Sequence, residues 1–269
     1  MVNSEILTVG EEILEGTQVN TNASWIAETL TETGIKVRRI TTVGDETKAI
    51  SDEIERSVEK NTDLLIVTGG LGPTPDDKTL DGLSKALDDE CEVNETALEM
   101  IRESYDKFAE EGLIKEGGIT PSRKKMAIIP SSSEPIPNPI GGAPAILAKK
   151  NETSIFCLPG VPREMKAILK ENIDRWGLDL KGKDTFLEVE ITGLEESSMT
   201  PLYRELGEEY QEIEVRSYPE SDDEGPFLRV KIYGGDENYL GRVEESFRDL
   251  LRDKESVEIR SSEIISVDT

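Results

Sequence analysis

Thr68-Gly69-Gly70-Leu71-Gly72-Pro73-Thr74-Pro75-Asp76-Asp77-Lys78-Thr79 leaves an apolar, β-branched run over residues 64–68 and enters a helical pattern that starts at Thr79. Glycines let backbone N–H groups come close to phosphate oxygens, the hydroxyls of Thr68 and Thr74 add donors, and a helix N-terminus adds positive potential. Asp76 and Asp77 then supply anionic oxygens. Carboxylates beside a phosphate cradle make electrostatic sense when a divalent cation lies between them, because the bare charges repel. A plainer reading needs only local structure: the glycines make a turn and the aspartates cap the helix.

On either side of this turn, strand and helix periodicities alternate. Ile6-Leu7-Thr8-Val9 reads as a first strand, and Ala23, Ile26, Ala27 and Leu30 fall on one helix face that Gly34 closes. Residues 37–42 read as a second strand, 48–60 as a helix with Ile50, Ile54 and Val58 on one side, and 64–68 as a buried third strand. A β-α-β-α-β opening of this kind predicts a mostly parallel sheet covered by helices on both faces, with ligands beyond the carboxyl ends of the strands. Helices follow over 79–87 and 94–111, the second with Asn94 as N-cap and Met100, Ile101, Tyr105 and Phe108 on its apolar side. Prolines and glycines between Pro130 and Pro144 predict an ordered loop. Strands over 145–148 and 154–158 then flank a Lys150-Asn151-Glu152 turn, and Pro162 opens a helix that reaches about Trp176.

From Thr185 the pattern becomes strand (186–191), helix (195–206), strand (213–217), strand (227–233), helix (237–251) and a short terminal strand. This predicts a small α+β domain, so the chain divides into residues 1–176 and 177–269, with the boundary near Gly177 to Lys183. The acidic stretch from Glu220 to Gly225 reads as an exposed hairpin loop.

A chain of 269 residues has ample length for two such cores. Its 31 lysines and arginines face 57 aspartates and glutamates, a net charge of −26. So much negative charge repels nucleic acid and anionic lipid alike, and predicts a hydrated, halophilic-type acidic surface. There is no histidine, which removes Ser-His-Asp and Cys-His nucleophile systems and the usual zinc and haem ligand sets. Any metal would be held by oxygen, which favours hard divalent ions. Cys91 and Cys157 lie far apart and match no CxxC pattern, and Cys157 sits in an apolar run over 155–158 that suits a core residue. No basic, apolar leader and no span-length apolar stretch is present, so a cytoplasmic location is expected.

Other segments reach the same sheet edge. Val9-Gly10-Glu11-Glu12-Ile13-Leu14-Glu15-Gly16 follows the first strand; Glu12 there can hold a metal-bound water, and Asn20 and Asn22 beyond it can reach a ligand or cap a helix. Asp45, after the second strand, can ligate metal or cap the helix beginning near Thr47. Asn138-Pro139-Ile140-Gly141-Gly142-Ala143-Pro144 and Leu158-Pro159-Gly160-Val161-Pro162-Arg163-Glu164-Met165 both suit the lining of a cleft, with Glu164 in a helix first turn. Arg123-Lys124-Lys125 is a rare cationic run, readable as local compensation for a polyphosphate or as a solvated face.

Taken in order, VGEEILEG, NTN, VGDE, TGGLGPTPDDKT, NPIGGAP and LPGVPREM resemble the motifs of the CinA family, over about residues 4 to 170. The TGG-G pattern and the downstream Asp are shared with the broader MoaB/Mog molybdopterin-binding fold. The resemblance implies a three-layer MoaB/Mog-type α/β domain, a KH-like α+β second domain, and a homo-oligomer, a dimer. Bacterial relatives carry a further C-terminal domain that deamidates nicotinamide mononucleotide; residues 1–269 leave no room for it, and that activity is not expected. Two departures stand out: Glu11 where many members have Asp or Asn, and Met126 before Ala127 where bacterial members usually have Gln.

Relatives of the first domain are associated with metal-dependent hydrolysis of ADP-ribose to AMP and ribose 5-phosphate, which becomes the leading expectation. Thr68, Gly69, Gly70, Gly72 and Thr74 then surround the diphosphate, and Asp45, Asp76 and Asp77 hold Mg²⁺, Mn²⁺ or Co²⁺. Glu12, Asp77 or Glu164 serves the attacking water, and Asn22, Asn138, Gly141 and Gly160 meet the sugars. The alternative is a molybdopterin-binding protein of molybdenum-cofactor metabolism, in which the same glycines hold the pterin phosphate; a non-catalytic nucleotide-binding protein is a third reading.

Overall fold

The central strands are near-continuous apolar runs, and since successive side chains point to opposite faces, both faces of their sheet are apolar. The computed structural model describes residues 2–173, 185–252, 254 and 257–265. The chain forms two units, residues 1–180 and 181–269. The first runs β1 (Asn3–Val9), α1 (Glu11–Leu14), α2 (Thr21–Glu32), β2 (Lys36–Val43), α3 (Thr47–Glu59), β3 (Leu64–Thr68), α4 (Thr79–Leu87), β4 (Cys91–Val93), α5 (Glu95–Glu110), α6 (Pro121–Lys125), β5 (Ile128–Pro130), β6 (Glu134–Ile136), β7 (Ala145–Lys150), β8 (Thr153–Leu158) and α7 (Pro162–Asn172). Six strands form one sheet in the order β2-β1-β3-β8-β7-β6. The first four are mutually parallel, and β7 and β6 add antiparallel at one side.

One face of this sheet presents Ile6, Leu64, Ile66, Phe156 and Leu158 to Ile26 and Leu30 of α2 and to Met165, Ile168 and Leu169 of α7. The other presents Leu7, Val9, Leu65, Val67, Ile155 and Cys157 to Ile50 and Ile54 of α3 and Leu83 and Ala86 of α4. Each of the Val, Leu, Ile, Phe and Met side chains contributes roughly 1.5–3 kcal/mol on full burial, and the result is the three-layer α/β architecture expected. Burial pushes the Cys157 thiol up to about 12, as suits a core residue. At the opposite edge, β2 carries Lys36, Arg38 and Arg39 along a largely exposed strand.

Local signals act as the sequence suggests. Gly34 takes a φ of 77° and the Ile35 N–H reaches the Leu30 carbonyl at 2.8 Å, ending α2. Asn94 caps α5 by accepting from the Ala97 N–H at 3.0 Å, and Pro162 opens α7. The stretch expected as a loop differs: residues 128–130 pair with β4, and β6 pairs with β7 through Glu134↔Leu147, Pro135↔Ile146 and Ile136↔Ala145. Prolines lack the ladder donor and are tolerated at a sheet edge, which is why this strand carries the composition of a loop. The expected helix end at Trp176 and the boundary near 177–183 lie outside the described residues.

The second unit runs β9 (Phe186–Thr192), α8 (Glu196–Glu209), β10 (Glu214–Asp222), β11 (Gly225–Tyr233), α9 (Glu237–Arg252) and β12 (Glu258–Ile265). Its sheet is antiparallel in the order β10-β11-β9-β12. This is the α+β domain expected, and its β-α-β-β-α-β element order with this strand order is a split β-α-β arrangement. Leu187, Val189, Ile191, Leu228, Val230 and Ile232 pack on one face against Met199 and Leu202 of α8 and Val243 and Phe247 of α9. Alternation sends Arg229 to the other face, where it meets Glu190 at 3.1 Å, Glu220 at 3.2 Å and Glu188 at 3.8 Å. The acidic stretch read as a loop is mostly strand: Asp222 pairs with Gly225, leaving Asp223 and Glu224 as the turn. Among the described residues no helix is long and apolar enough to cross a membrane.

Candidate functional site

Parallel strands end together, so the carboxyl ends of β1, β3 and β8 bring Val9, Thr68 to Gly70, and Pro159 to Gly160 to one place. They floor a cavity of about 450 Å³, within the usual size of a small-molecule site. Gly69 and Gly70 take φ of 104° and 64°, where side chains are strained, and any side chain at Gly69 would strike the Val9 carbonyl. The start of α4 locks the turn: Thr79 donates its hydroxyl to the Gly69 carbonyl at 2.7 Å and its N–H to the Gly70 carbonyl at 3.2 Å. Thr68 donates to the Pro159 carbonyl at 3.2 Å, tying β3 to β8. From the first turn of α2, Asn22 donates Nδ2 to the Gly160 carbonyl at 2.8 Å and to Thr68 Oγ1 at 3.4 Å. Its Oδ1 is buried without a partner among the described residues. The N–H groups of Gly70, Leu71 and Gly72, all cavity-lining residues, likewise take no partner from the described chain.

The carboxylates occupy the walls. Asp77 accepts from the Thr74 N–H at 2.8 Å and the Thr74 hydroxyl at 2.6 Å, closing the Thr74–Asp77 turn instead of capping α4, whose N-cap is Lys78. Asp45 accepts from the Glu11 N–H at 3.0 Å and does not cap α3, whose N-cap is Glu46. Burial pushes the Asp45 carboxyl above its ordinary range, and the charges of Glu12, Asp77 and Asp76 add to this against the Glu11 N–H. Glu12 and Asp76 also line the cavity. The three aspartates are thus neighbours without being a preformed ligand set: among the described residues no three Asp, Glu or Cys side chains converge as metal ligands.

Glu164, in the first turn of α7, is raised by burial, which a hydrogen bond from Asn138 Nδ2 at 2.6 Å opposes. Asn138 also donates to the Ala143 carbonyl at 2.8 Å and accepts from the Ile140 and Gly141 N–H groups at 3.2 and 2.8 Å. Asn138 and Gly141 therefore stand behind Glu164 and order its loop, whereas Thr68, Gly69, Gly70, Gly72, Thr74, Asn22 and Gly160 border the cavity itself. Asn20 caps α2 through the Ala23 N–H at 3.1 Å and ties the strand ends through Thr8 at 3.0 Å.

Sequence reasoning missed Tyr105, which lines the cavity from α5; helical spacing identified it only as an apolar position. Its ring lies 4.0 Å beneath the Arg123 guanidinium. Burial raises its phenol, Arg123 opposes, and the Glu164 charge adds. Arg123 also donates to the carbonyls of Gly117, Gly118 and Glu116 at 2.8, 2.7 and 3.1 Å. Lys125 points into the Gly72–Asp77 turn, and Lys124 is exposed. The cationic run is thus divided among three destinations. At the rim, Val19 and Val161 stand 83% and 52% exposed.

Residues 5–176 match a family model described as "Probable molybdopterin binding domain". A protein of Pyrococcus horikoshii is 37% identical over 247 residues, covering 90% of this chain and 93% of the relative. One from Pyrobaculum arsenaticum is 38% identical over 267 residues, covering 96% and 97%. The crystal structure of the protein CinA from Thermoplasma acidophilum, of unknown function, is 40% identical with a TM-score of 0.58, and covers 65% of this chain and 98% of that one. The motifs around the cavity all fall within the matched residues, and the chain belongs to the probable molybdopterin-binding domain family, on the branch that includes CinA.

Proposed function

We propose that the cleft binds molybdopterin, with the pterin's phosphate on the Gly69–Gly72 turn. The carrying observation is the set of N–H groups at Gly70, Leu71 and Gly72 that have no partner among the described residues, at the strand ends by the first turns of α2 and α7. Backbone donors and helix starts attract an anion without any net positive charge, as a site in so acidic a chain requires. The exposed Val19 and Val161 at the rim suit a planar heterocycle. The family description supports this reading over hydrolysis.

Anaerobic equilibrium titration with molybdopterin, in high salt, tests it. Saturable one-site binding is expected, with affinity reduced at least about a hundredfold in Gly160→Asp, which sets a carboxylate beside the turn. Absence of saturable binding by the unaltered protein sinks the reading.

A second reading is favoured by the carboxylate wall around Asp45: the cleft hydrolyses ADP-ribose with water to AMP and ribose 5-phosphate. Asp45, Asp76 and Asp77 would hold Mg²⁺, Mn²⁺ or Co²⁺, which when bound supplies charge neutralisation at the phosphates. Glu164, half-buried and raised, suits acceptance of a proton from the attacking water. Metal-dependent AMP release, lost in Asp77→Ala, would carry this reading; no release with any of the three metals would end it.

A further inference from the structure

The segment Gly72-Pro73-Thr74-Pro75 poses a local problem. Two of its peptide nitrogens belong to proline and carry no proton, so the segment has few local N–H donors for its own carbonyls. Asp77 satisfies the turn from one side, through the N–H and hydroxyl of Thr74. On the carbonyl side the turn has one local bond, from the Asp77 N–H to the Thr74 carbonyl at 3.3 Å, and a second donor comes from elsewhere in the chain. Lys125, at the end of α6, provides it: Nζ donates to the Thr74 carbonyl, to the Asp77 carbonyl at 2.7 Å and, at the limit of bonding distance, to the Gly72 carbonyl at 3.5 Å. An ammonium has three protons and no acceptor, and this arrangement commits all three to one turn.

We propose that Lys125 is the positioning residue of the cleft, an ammonium clamp that holds the Gly72–Asp77 turn, and with it the adjoining Gly70–Gly72 donors, in the shape that receives an anionic ligand. The proposal rests on the reading of the cleft as a phosphate-ligand site. It also assigns the cationic run a different role from direct phosphate contact: the charge acts from behind the turn, at one peptide's remove, while balancing Asp76 and Asp77. Arg123 makes the parallel contact on the other side of α6, through the carbonyls of residues 116–118. The short helix therefore fastens two loops with two cations.

Hydrogen exchange and ligand binding on Lys125→Met, Lys125→Arg and unaltered protein test the clamp. Charge-assisted hydrogen bonds to three carbonyls are expected to protect the segment 70–78 by at least about tenfold over the Met variant, with the β3 and β8 segments unchanged. Molybdopterin affinity should fall at least about tenfold in Lys125→Met and return most of the way in Lys125→Arg, which keeps the charge and the donors. Lys125→Gln, carrying one donor group, covers the case in which the Met variant does not fold, with the same expectation. Unchanged exchange in 70–78, or affinity within about twofold of the unaltered protein, overturns the proposal. If the unaltered protein binds no molybdopterin, the cleft reading fails instead, and the exchange comparison still decides whether Lys125 holds the turn.

Discussion

Glu5, near the amino end of β1, and Asp45, just past the carboxyl end of β2, belong to one sheet and meet opposite surroundings. Glu5 is only 7% exposed. It accepts from the Arg56 guanidinium and from the Ser57 hydroxyl at 2.7 Å, and Arg56 is itself held by Glu53 at 2.7 Å. Burial pushes the Glu5 carboxyl up, but the Arg56 and Ser57 hydrogen bonds and the nearby arginine charges outweigh it and hold the group below its ordinary range. Asp45 has one N–H donor and three carboxylate neighbours, and Glu164 has one amide; both are raised. The amino end of the sheet compensates Glu5 within the protein, whereas Asp45 and Glu164 at the carboxyl end face no cation among the described residues. Uncompensated groups of this kind concentrate where function needs them and weaken the fold there.

The largest expected effect tests the compensated end. Arg56→Met leaves Glu5 buried without its partner, and urea denaturation should show a loss of about 3 kcal/mol, mostly restored by adding Glu5→Gln. A loss under about 1 kcal/mol would mean the pair is ordinary surface electrostatics and would break the contrast. Next comes the second unit, where Arg229 balances Glu188, Glu190 and Glu220. Arg229→Met should cost about 1–2 kcal/mol, because the pairs form a network on a partly exposed face; thermal unfolding of the full chain would show whether internal compensation extends to this sheet.

The smallest effect has the opposite sign. Asp45→Asn should stabilise the ligand-free protein at neutral pH, by less than about 1 kcal/mol because solvent screens the site. Asp45 and Glu164 have raised folded values, so their charged forms weaken the fold at neutral pH. Stability returns as pH falls through those values toward the ordinary 3.8 and 4.5. Glu5 runs the other way: its contribution is present above 4.5 and is lost as pH falls through its lowered folded value. A pH series of thermal unfolding should therefore show the Asn variant's advantage shrinking on acidification. An advantage that grows instead would refute the sign assigned to the carboxyl end.

The parallel sheet was legible because its signals are local: short apolar, β-branched runs, the Gly34 stop, the Asn94 cap and Pro162 each act within a few residues. The Thr68–Thr79 turn was legible for the same reason, as was its position beyond the strand ends. What escaped depends on distance along the chain. Lys125 meets a carbonyl 48 residues away and Glu5 meets an arginine 51 residues away, and no periodicity encodes such partners. Asp77 and Asp45 were read as ligands or caps, but each closes a connection made by loop geometry, to Thr74 and to Glu11. Asn138 read as a sugar contact because its loop is glycine-rich, whereas its side chain orders that loop and steadies Glu164.

The outer strand β2 carries a consequence for how copies of this chain meet one another. A bare strand edge invites another strand to add to it, and proteins discourage this with charged side chains along the rim. In a chain of net charge −26, Lys36, Arg38 and Arg39 make this rim locally cationic. A second copy offering the same edge would bring like charges face to face, so the sheet resists extension into a continuous ribbon.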